Sequence, residues 1–182
     1  MDMETLKGAI VKLHEEYRIP HIVVTSISLP ALGALPSLSV VGSTITSTAE
    51  PRIFEIKIPA IDCFFSGTGD MFAALMLVRL REAVNNVEGL MKTKSWVSGD
   101  EVEATELPLA IACEKVLASM HEVLTRTKVK RDEELEKYKG VDWEGDEKRK
   151  RLVESKAAEI RLVRNLDCLR HPDVKFRAER FS

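Results

Sequence analysis

The feature that most constrains the fold is a glycine-rich turn that runs directly into an apolar segment. The turn is Gly67-Thr68-Gly69-Asp70, and residues 71–78 after it carry no polar or charged side chain. Apolar residues on every side of a helix indicate burial on every side. The pattern therefore predicts a helix buried in the middle of something larger.

Length and charge narrow the classes of protein that fit this pattern. The chain has 182 residues, 45% hydrophobic and 31% charged, which suits one soluble globular domain. A net charge of −2 argues against nucleic acid or an anionic membrane as the main partner. Cys63, Cys113 and Cys168 are odd in number and widely spaced, so neither a disulfide framework nor a metal site is expected. The expected location is the reducing cytoplasm, with the nucleus as a second compartment.

One uncharged stretch could be mistaken for a membrane span. Residues 19–49 contain no Asp, Glu, Lys or Arg, but three prolines interrupt them. A spanning helix needs about 20 mostly apolar residues with continuous backbone hydrogen bonding. Two buried strands joined by a loop over residues 29–37 are expected instead, and the acidic residues Asp2 and Glu4 do not fit a secretory signal.

Hydrophobic periodicity along the rest of the chain predicts an α/β fold. A long helix is expected from the cap Thr105, with Pro108 in its first turn, to about Arg126. Residues 128–151 carry 9 basic and 8 acidic side chains, which predicts a solvated helix or an insertion. The remaining expected elements are a helix over 4–17 with Leu6, Ile10, Leu13 and Tyr17 on its apolar face; strands over 21–27, 38–42 and 52–58, the last with Glu55 and Lys57 exposed; a helix through Leu152, Ala157, Ile160 and Val163; and an edge strand over 174–181.

The glycine-rich turn also predicts chemistry. Free amides at a helix start, aided by the helix dipole, form an anion site, and the glycines let a phosphate approach the backbone. Asp70 in the first turn could then accept a proton from an attacking hydroxyl. The alternative is that Asp70 only stabilises the helix dipole. A P-loop is excluded because no lysine follows the glycines.

The wider sequence around the turn resembles one enzyme family. Residues 61–75, IDCFFSGTGDMFAAL, resemble the signature of ribokinase-like small-molecule kinases. The Gly-Thr-Gly-Asp form is similar to that of eukaryotic pyridoxal kinases, whereas sugar kinases tend to carry Gly-Ala-Gly-Asp. Residues 22–26, 112–127 and the C-terminal strand agree with this resemblance. It implies a ribokinase-like three-layer α/β sandwich for residues 1–182, as the C-terminal part of one kinase domain with an insertion at about 128–151.

The resemblance also implies roles for individual residues. Asp70 would be the catalytic base acting on the 5′-hydroxymethyl group of pyridoxal, pyridoxine or pyridoxamine, with Gly67 beside that substrate. The residues implied to bind ATP are Thr25, Ser26, Ile61, Gly67, Thr68 and Gly69. Mg²⁺ and a monovalent cation such as K⁺ are the implied ions, and no residue of this chain is assigned to a metal.

The family resemblance starts after the midpoint of the family's sequence, which has consequences for activity. Without the N-terminal part, most of the substrate-positioning groups would be absent, so the chain alone is expected to be a weak or inactive kinase. A homodimer is implied for the full-length enzyme, and an uncovered sheet edge should favour association. Two alternatives stay open: a non-catalytic nucleotide-binding or dimer-partner fragment, and a ribokinase-like kinase for another alcohol.

Overall fold

The computed structural model describes residues 3–28 and 36–181, so most of the loop expected over 29–37 lies outside the described residues. The described part contains five helices and four strands. In chain order these are α1 (Met3–Tyr17), β1 (His21–Ile27), β2 (Ser37–Ile45), β3 (Pro51–Pro59), α2 (Thr68–Asn85), α3 (Pro108–Glu136), α4 (Glu147–Ala157), α5 (Leu166–Arg170) and β4 (Glu179–Arg180).

The four strands form one antiparallel sheet in the order β1-β2-β3-β4. Strands β2 and β3 pair along their whole length, with Gly42 opposite Phe54. The predicted C-terminal edge strand is real but short, because only Glu179 and Arg180 pair with β3. Strand β1 lies at the other edge of this sheet.

Helices cover both faces of the sheet, which gives the predicted three layers. Alternate residues of a strand point to opposite faces. On one face Val40 and Phe54 pack with Leu117 of α3 and with residues of α2. On the other face Val41 packs with Leu6 and Ile10 of α1. The sheet is therefore buried between α1 and the α2–α3 pair.

The apolar face predicted for α1 is partly wrong. Leu6 and Ile10 are buried, but Leu13 and Tyr17 are 38% and 64% exposed. His14 is buried in their place. Its Nδ1–H donates to the Ile19 carbonyl at 2.6 Å, which leaves Nε2 to accept from the Ser43 hydroxyl at 2.8 Å. Because both ring nitrogens are hydrogen-bonded, a histidine can occupy this buried position.

The expectation that Glu55 faces solvent is also wrong. Glu55 is 4% exposed, and its carboxylate accepts a hydrogen bond from the Ser39 hydroxyl on β2 at 2.5 Å. The ammonium group of Lys57 lies 3.5 Å from the same carboxylate. This neighbour raises the pKa of Lys57 above its ordinary value. Burial of Glu55 is tolerated because its charge is both hydrogen-bonded and paired.

Helix α2 is not covered on every side, in contrast to the prediction from its composition. Met71, Ala83 and Val84 are buried, whereas Leu77 and Val78 are 73% and 61% exposed. Helix α3 packs against one side of α2 and leaves the side with Leu77 and Val78 open. No helix in the described part of the chain, α2 included, is long and apolar enough to cross a membrane.

The long C-terminal helices begin and end at different residues from those expected. Helix α3 starts at Pro108, and Thr105 lies in a separate 3-10 turn, so it is not the cap. The helix continues ten residues past Arg126 to Glu136, into the charged stretch. Ion pairs three or four residues apart, such as Lys128–Asp132, support that extension. Helix α4 ends at Ala157. Ile160 and Val163 were expected in this helix, but Ile160 lies beyond its end and Val163 lies in a 3-10 turn.

A histidine on β1 makes the stability of this fold depend on pH. The Nδ1 atom of His21 lies 2.9 Å from the Thr44 hydroxyl, and its Nε2 lies 2.7 Å from the Ser95 carbonyl. Burial lowers the pKa of His21 below 6.5. The unfolded chain therefore binds a proton at higher pH than the folded chain does. The contribution of His21 to stability is complete above pH 6.5 and is lost as the pH falls through the lower pKa of the folded state.

We expect the free energy of unfolding in urea to fall as the pH is lowered from 6.5. The variant His21→Asn should show a flatter pH dependence. His171→Asn, at an exposed histidine, is the control and should follow the wild-type curve. An equally steep curve for His21→Asn would show that His21 does not cause the effect.

Candidate active site

The turn before α2 has the backbone conformation that requires a glycine. Gly67 has φ +83° and ψ 9°, in the left-handed region that other residues rarely adopt. Gly69 lies inside the first turn of α2 and is not in that region. Apart from its two chain neighbours and the nearby backbone of α2, no described protein atom lies within 4 Å of the place where a Cβ would be at Gly69. The first glycine therefore shapes the turn, and the second leaves the helix start open to a ligand.

The start of α2 has the chemical character of an anion site. Gly67 is the residue before the helix, and no side chain there caps the helix amides. The first hydrogen bond of the helix runs from the Met71 amide to the Gly67 carbonyl at 3.1 Å. The amides before Met71 therefore have no partner within the helix. They add to the positive end of the helix dipole, as in other phosphate sites.

A cavity of about 330 Å³ brings together residues that are far apart in the sequence. Its lining includes five of the predicted nucleotide-binding residues: Thr25, Ser26, Ile61, Thr68 and Gly69. The end of β1 and the start of α2 therefore border the same space. Sequence reasoning placed these residues in one site, and the structure brings them to one cavity.

A bulge at the end of β1 presents the two hydroxyl-bearing residues of this cavity. The pairing register with β2 shifts between Val24 and Ile27. Thr25 and Ser26 in between are exposed, and Ser26 has φ +59°. A non-glycine residue in this left-handed region costs about 1–2 kcal/mol. Strained backbone of this kind is often found where a ligand is bound.

The rest of the cavity is mostly apolar and includes residues to which the sequence assigned no role. Leu38, Val40, Ile58, Phe72, Leu117 and Leu124 line it. His121 of α3 also lines it and makes an edge contact with Phe176, with ring centroids 5.1 Å apart. Burial lowers the pKa of His121. The one sequence signal for His121 is its spacing, since it follows Leu117 by four residues and so lies on the same side of α3.

Asp70 and Gly67 border a different cleft on the other side of the turn. This cleft has a volume of about 950 Å³ and is also lined by Ser66, Arg131 and Arg151. Asp70 is exposed and has no hydrogen bond or ion pair with any described residue. Phe64 lines both spaces. The predicted site is thus divided, with the glycine-rich turn as the wall between the cavity and the Asp70 cleft.

A resident metal ion does not fit the residues described here. Among residues 3–28 and 36–181, no group of three or more His, Cys, Asp or Glu side chains could hold a metal. Asp70 is the one acidic residue of the predicted site. The residues that the sequence predicted for the site therefore offer backbone amides, hydroxyl groups and the Asp70 carboxylate.

Comparison with known proteins identifies the relatives of this chain. No family model matches the chain. A Schizosaccharomyces pombe protein with the name "putative pyridoxal kinase" is 27% identical over 175 residues, which are 95% of this chain and 47% of that protein. The pyridoxal kinase of Sus scrofa is 33% identical over 111 residues, 58% of this chain and 27% of that protein. The chain is similar to part of a pyridoxal kinase.

Solved structures agree with the family resemblance in sequence. Plasmodium falciparum PdxK with AMP-PNP and PL matches with a TM-score of 0.58 at 15% identity, over 98% of this chain and 43% of that chain. Leishmania donovani pyridoxal kinase with ADP and pyridoxine matches with a TM-score of 0.57 at 16% identity, over 95% and 43%. The predicted ribokinase-like fold of the pyridoxal kinases is confirmed. The chain spans less than half the length of these relatives.

Proposed function

We propose that the chain is the phosphoryl-transfer part of a vitamin B6 kinase. The reaction would move the γ-phosphoryl group of ATP to the 5′-hydroxymethyl group of pyridoxal, pyridoxine or pyridoxamine. The observation that carries the proposal is the position of the glycine-rich turn. It separates a cavity bordered by Thr25 and Ser26 from a cleft bordered by Asp70.

The two spaces suit the two substrates of such a reaction. The apolar part of the cavity suits the base of ATP, and Thr25, Ser26 and the amides of Thr68 and Gly69 suit its phosphates. The alcohol would lie on the Asp70 side. Its oxygen would form a bond to phosphorus while the bond between phosphorus and the ADP oxygen breaks, and Asp70 would take the hydroxyl proton.

The ions and the assembly belong to the proposal as well. Mg²⁺ would be bound mainly through the phosphate oxygens of the nucleotide, because the described residues of this chain include no group of three or more His, Cys, Asp or Glu side chains that could hold a metal ion. A monovalent cation, a homodimer of the whole enzyme and a place in the cytoplasm or nucleus are predictions from the family. The ligands AMP-PNP, ADP and pyridoxine in the neighbouring structures support the nucleotide and vitamin assignments.

The second candidate is a chain that binds nucleotide without catalysis. The exposed side chains of Leu77 and Val78 on α2 favour it, because they suit contact with further protein. This candidate shares the cavity with the first and differs only in turnover. A kinase for a different alcohol is disfavoured, because the relatives named above are pyridoxal kinases.

Nucleotide binding and turnover separate these candidates. We expect the purified chain to bind ADP more tightly than adenosine, and the double variant Thr25→Val, Ser26→Ala to bind ADP about tenfold more weakly. Thr125→Val is the matched control, because Thr125 is exposed on α3 and lies outside both spaces. Calorimetry measures the affinities.

Turnover is measured as formation of pyridoxal 5′-phosphate from ATP and pyridoxal, with ribose as the competing alcohol. Slow, vitamin-specific turnover by the chain, and faster turnover by a longer protein that contains it, would support the kinase. Nucleotide binding with no turnover in either would support the second candidate. Absence of nucleotide binding would refute both.

A further inference from the structure

The Asp70 cleft has a wall built from the charged stretch to which the sequence assigned no function. The end of α3 contributes Arg131, and α4 contributes Arg151 and Glu154. Glu159, just after α4, lines the cleft as well. Two guanidinium groups of this stretch therefore border the same space as the proposed catalytic carboxylate.

The two arginines differ in their partners. Arg131 donates to the Asp132 carboxylate at 2.8 Å. Arg151 has no hydrogen bond or ion pair with any described residue. This is notable because Glu147 and Glu154 lie four residues before it and three after it on the same helix, at spacings that favour ion pairs. Among the described residues, Arg151 is thus the cationic side chain of the cleft whose charge is not already paired.

The negative charges of the cleft favour an unpaired positive charge beside a bound phosphate. A phosphate beside Asp70 is repelled by the carboxylate, and Glu154 and Glu159 add to that repulsion. The helix start of α2 offsets only about half an elementary charge. A guanidinium group can donate two parallel hydrogen bonds to phosphate oxygens. An unpaired arginine facing this cleft is suited to hold the anion where Asp70 would otherwise exclude it.

We propose that Arg151 binds the phosphate group that lies in the Asp70 cleft, with Arg131 as a weaker second contributor. The ligand class is a terminal phosphate on a small molecule, either the phosphorylated product or the end of the nucleotide. This inference rests on the proposed function for the source of that phosphate. It assigns a binding role to a helix within the charged stretch.

Pairs of ligands that differ by one phosphate test the assignment on the full chain. Pyridoxamine 5′-phosphate is compared with pyridoxamine, which avoids the imines that an aldehyde forms with lysines, and ATP is compared with ADP. We expect Arg151→Gln to bind the ligand with the extra phosphate about ten- to hundredfold more weakly and its counterpart unchanged. Arg151→Lys should retain part of the affinity.

The control is Arg149→Gln on the same helix, since Arg149 is mostly exposed, lies 4.0 Å from the Asp146 carboxylate and does not line the cleft. Loss confined to pyridoxamine 5′-phosphate identifies the product as the ligand, and loss confined to ATP identifies the nucleotide. Equal binding by Arg151→Gln and wild type, or an equal loss in Arg149→Gln, would overturn the assignment.

Inorganic pyrophosphate separates failure of this inference from failure of the proposed function. If the chain binds ADP but Arg151→Gln binds every phosphate ligand normally, the arginine assignment alone is wrong. If Arg151→Gln weakens pyrophosphate binding while the wild type binds neither ADP nor pyridoxamine 5′-phosphate, the anion site stands and the proposed kinase function is wrong. If none of these ligands binds, both are wrong.

Discussion

Replacement of Asp70 by asparagine is expected to lower kcat for pyridoxal phosphorylation by about 10²–10⁴, the usual contribution of a general base. Asparagine has nearly the same shape as aspartate but cannot accept the proton from the attacking hydroxyl group. Asp70 is exposed and has no partner among the described residues, so the substitution should not disturb the fold. ADP affinity should change little, because the proposed contacts of the ADP phosphates are backbone amides and the hydroxyl groups of Thr25 and Ser26.

The measurement compares turnover and ADP affinity in the longest protein that contains this chain and in the chain itself. Asp62→Asn is the matched control, because Asp62 is an exposed aspartate in the loop before α2 and lines neither space. Turnover in Asp62→Asn should stay within about twofold of wild type, as for a surface change away from the site. Unchanged kcat in Asp70→Asn would remove this residue from the mechanism. An equal loss in Asp62→Asn would indicate a general effect of charge.

The glycine-rich turn could be predicted from the sequence because its physics is local. A helix start with glycines needs only neighbouring residues to adopt its conformation, and at Gly67 the turn has the left-handed backbone that favours glycine. The division of the site could not be predicted in this way. Whether Gly69 and Asp70 face the same space depends on what packs on each side of α2, and α3 and α4 come later in the chain.

The burial of polar side chains could not be predicted from local sequence either, because it depends on residues from other elements. Alternation along β3 predicts that Glu55 faces solvent, yet Ser39 on β2 satisfies it inside the protein. His14 is buried because Ser43 and the Ile19 carbonyl meet its ring. Ser39 comes next to Glu55, and Ser43 next to His14, only when the sheet forms and α1 packs on it. The periodicity of a single helix or strand therefore carries no information about these partners.

The exposed face of α2 was not predicted for a different reason from the buried polar side chains. Because residues 71–78 are all apolar, Leu77 and Val78 included, composition predicts that α2 is buried on every side. Within this chain α3 covers one side only. Apolar composition therefore says that the helix can be buried, whereas the side that is covered depends on where α3 lies, which local sequence does not give.

The largest effect on stability is expected at Phe54, in the layer between the sheet and α3. Phe54 is 0% exposed and lies opposite Gly42 on β2. A Cβ at Gly42 would lie 2.1 Å from the Cζ atom of the Phe54 ring, so the glycine is needed to make room for the ring. Phe54→Ala should lower the free energy of unfolding by about 3–5 kcal/mol, through lost burial and the cavity left behind.

Urea unfolding followed by circular dichroism measures this loss. Phe64→Ala is the matched control, because Phe64 is 86% exposed and should change the free energy of unfolding by less than about 0.5 kcal/mol. Gly42→Ala should destabilise the wild type by about 1–3 kcal/mol through overpacking, and much less when Phe54 is already alanine. Additive effects of the two substitutions would contradict the contact, since residues in contact should be coupled. A loss below about 1 kcal/mol in Phe54→Ala would show that the layer between the sheet and α3 is not the tightly packed core described here.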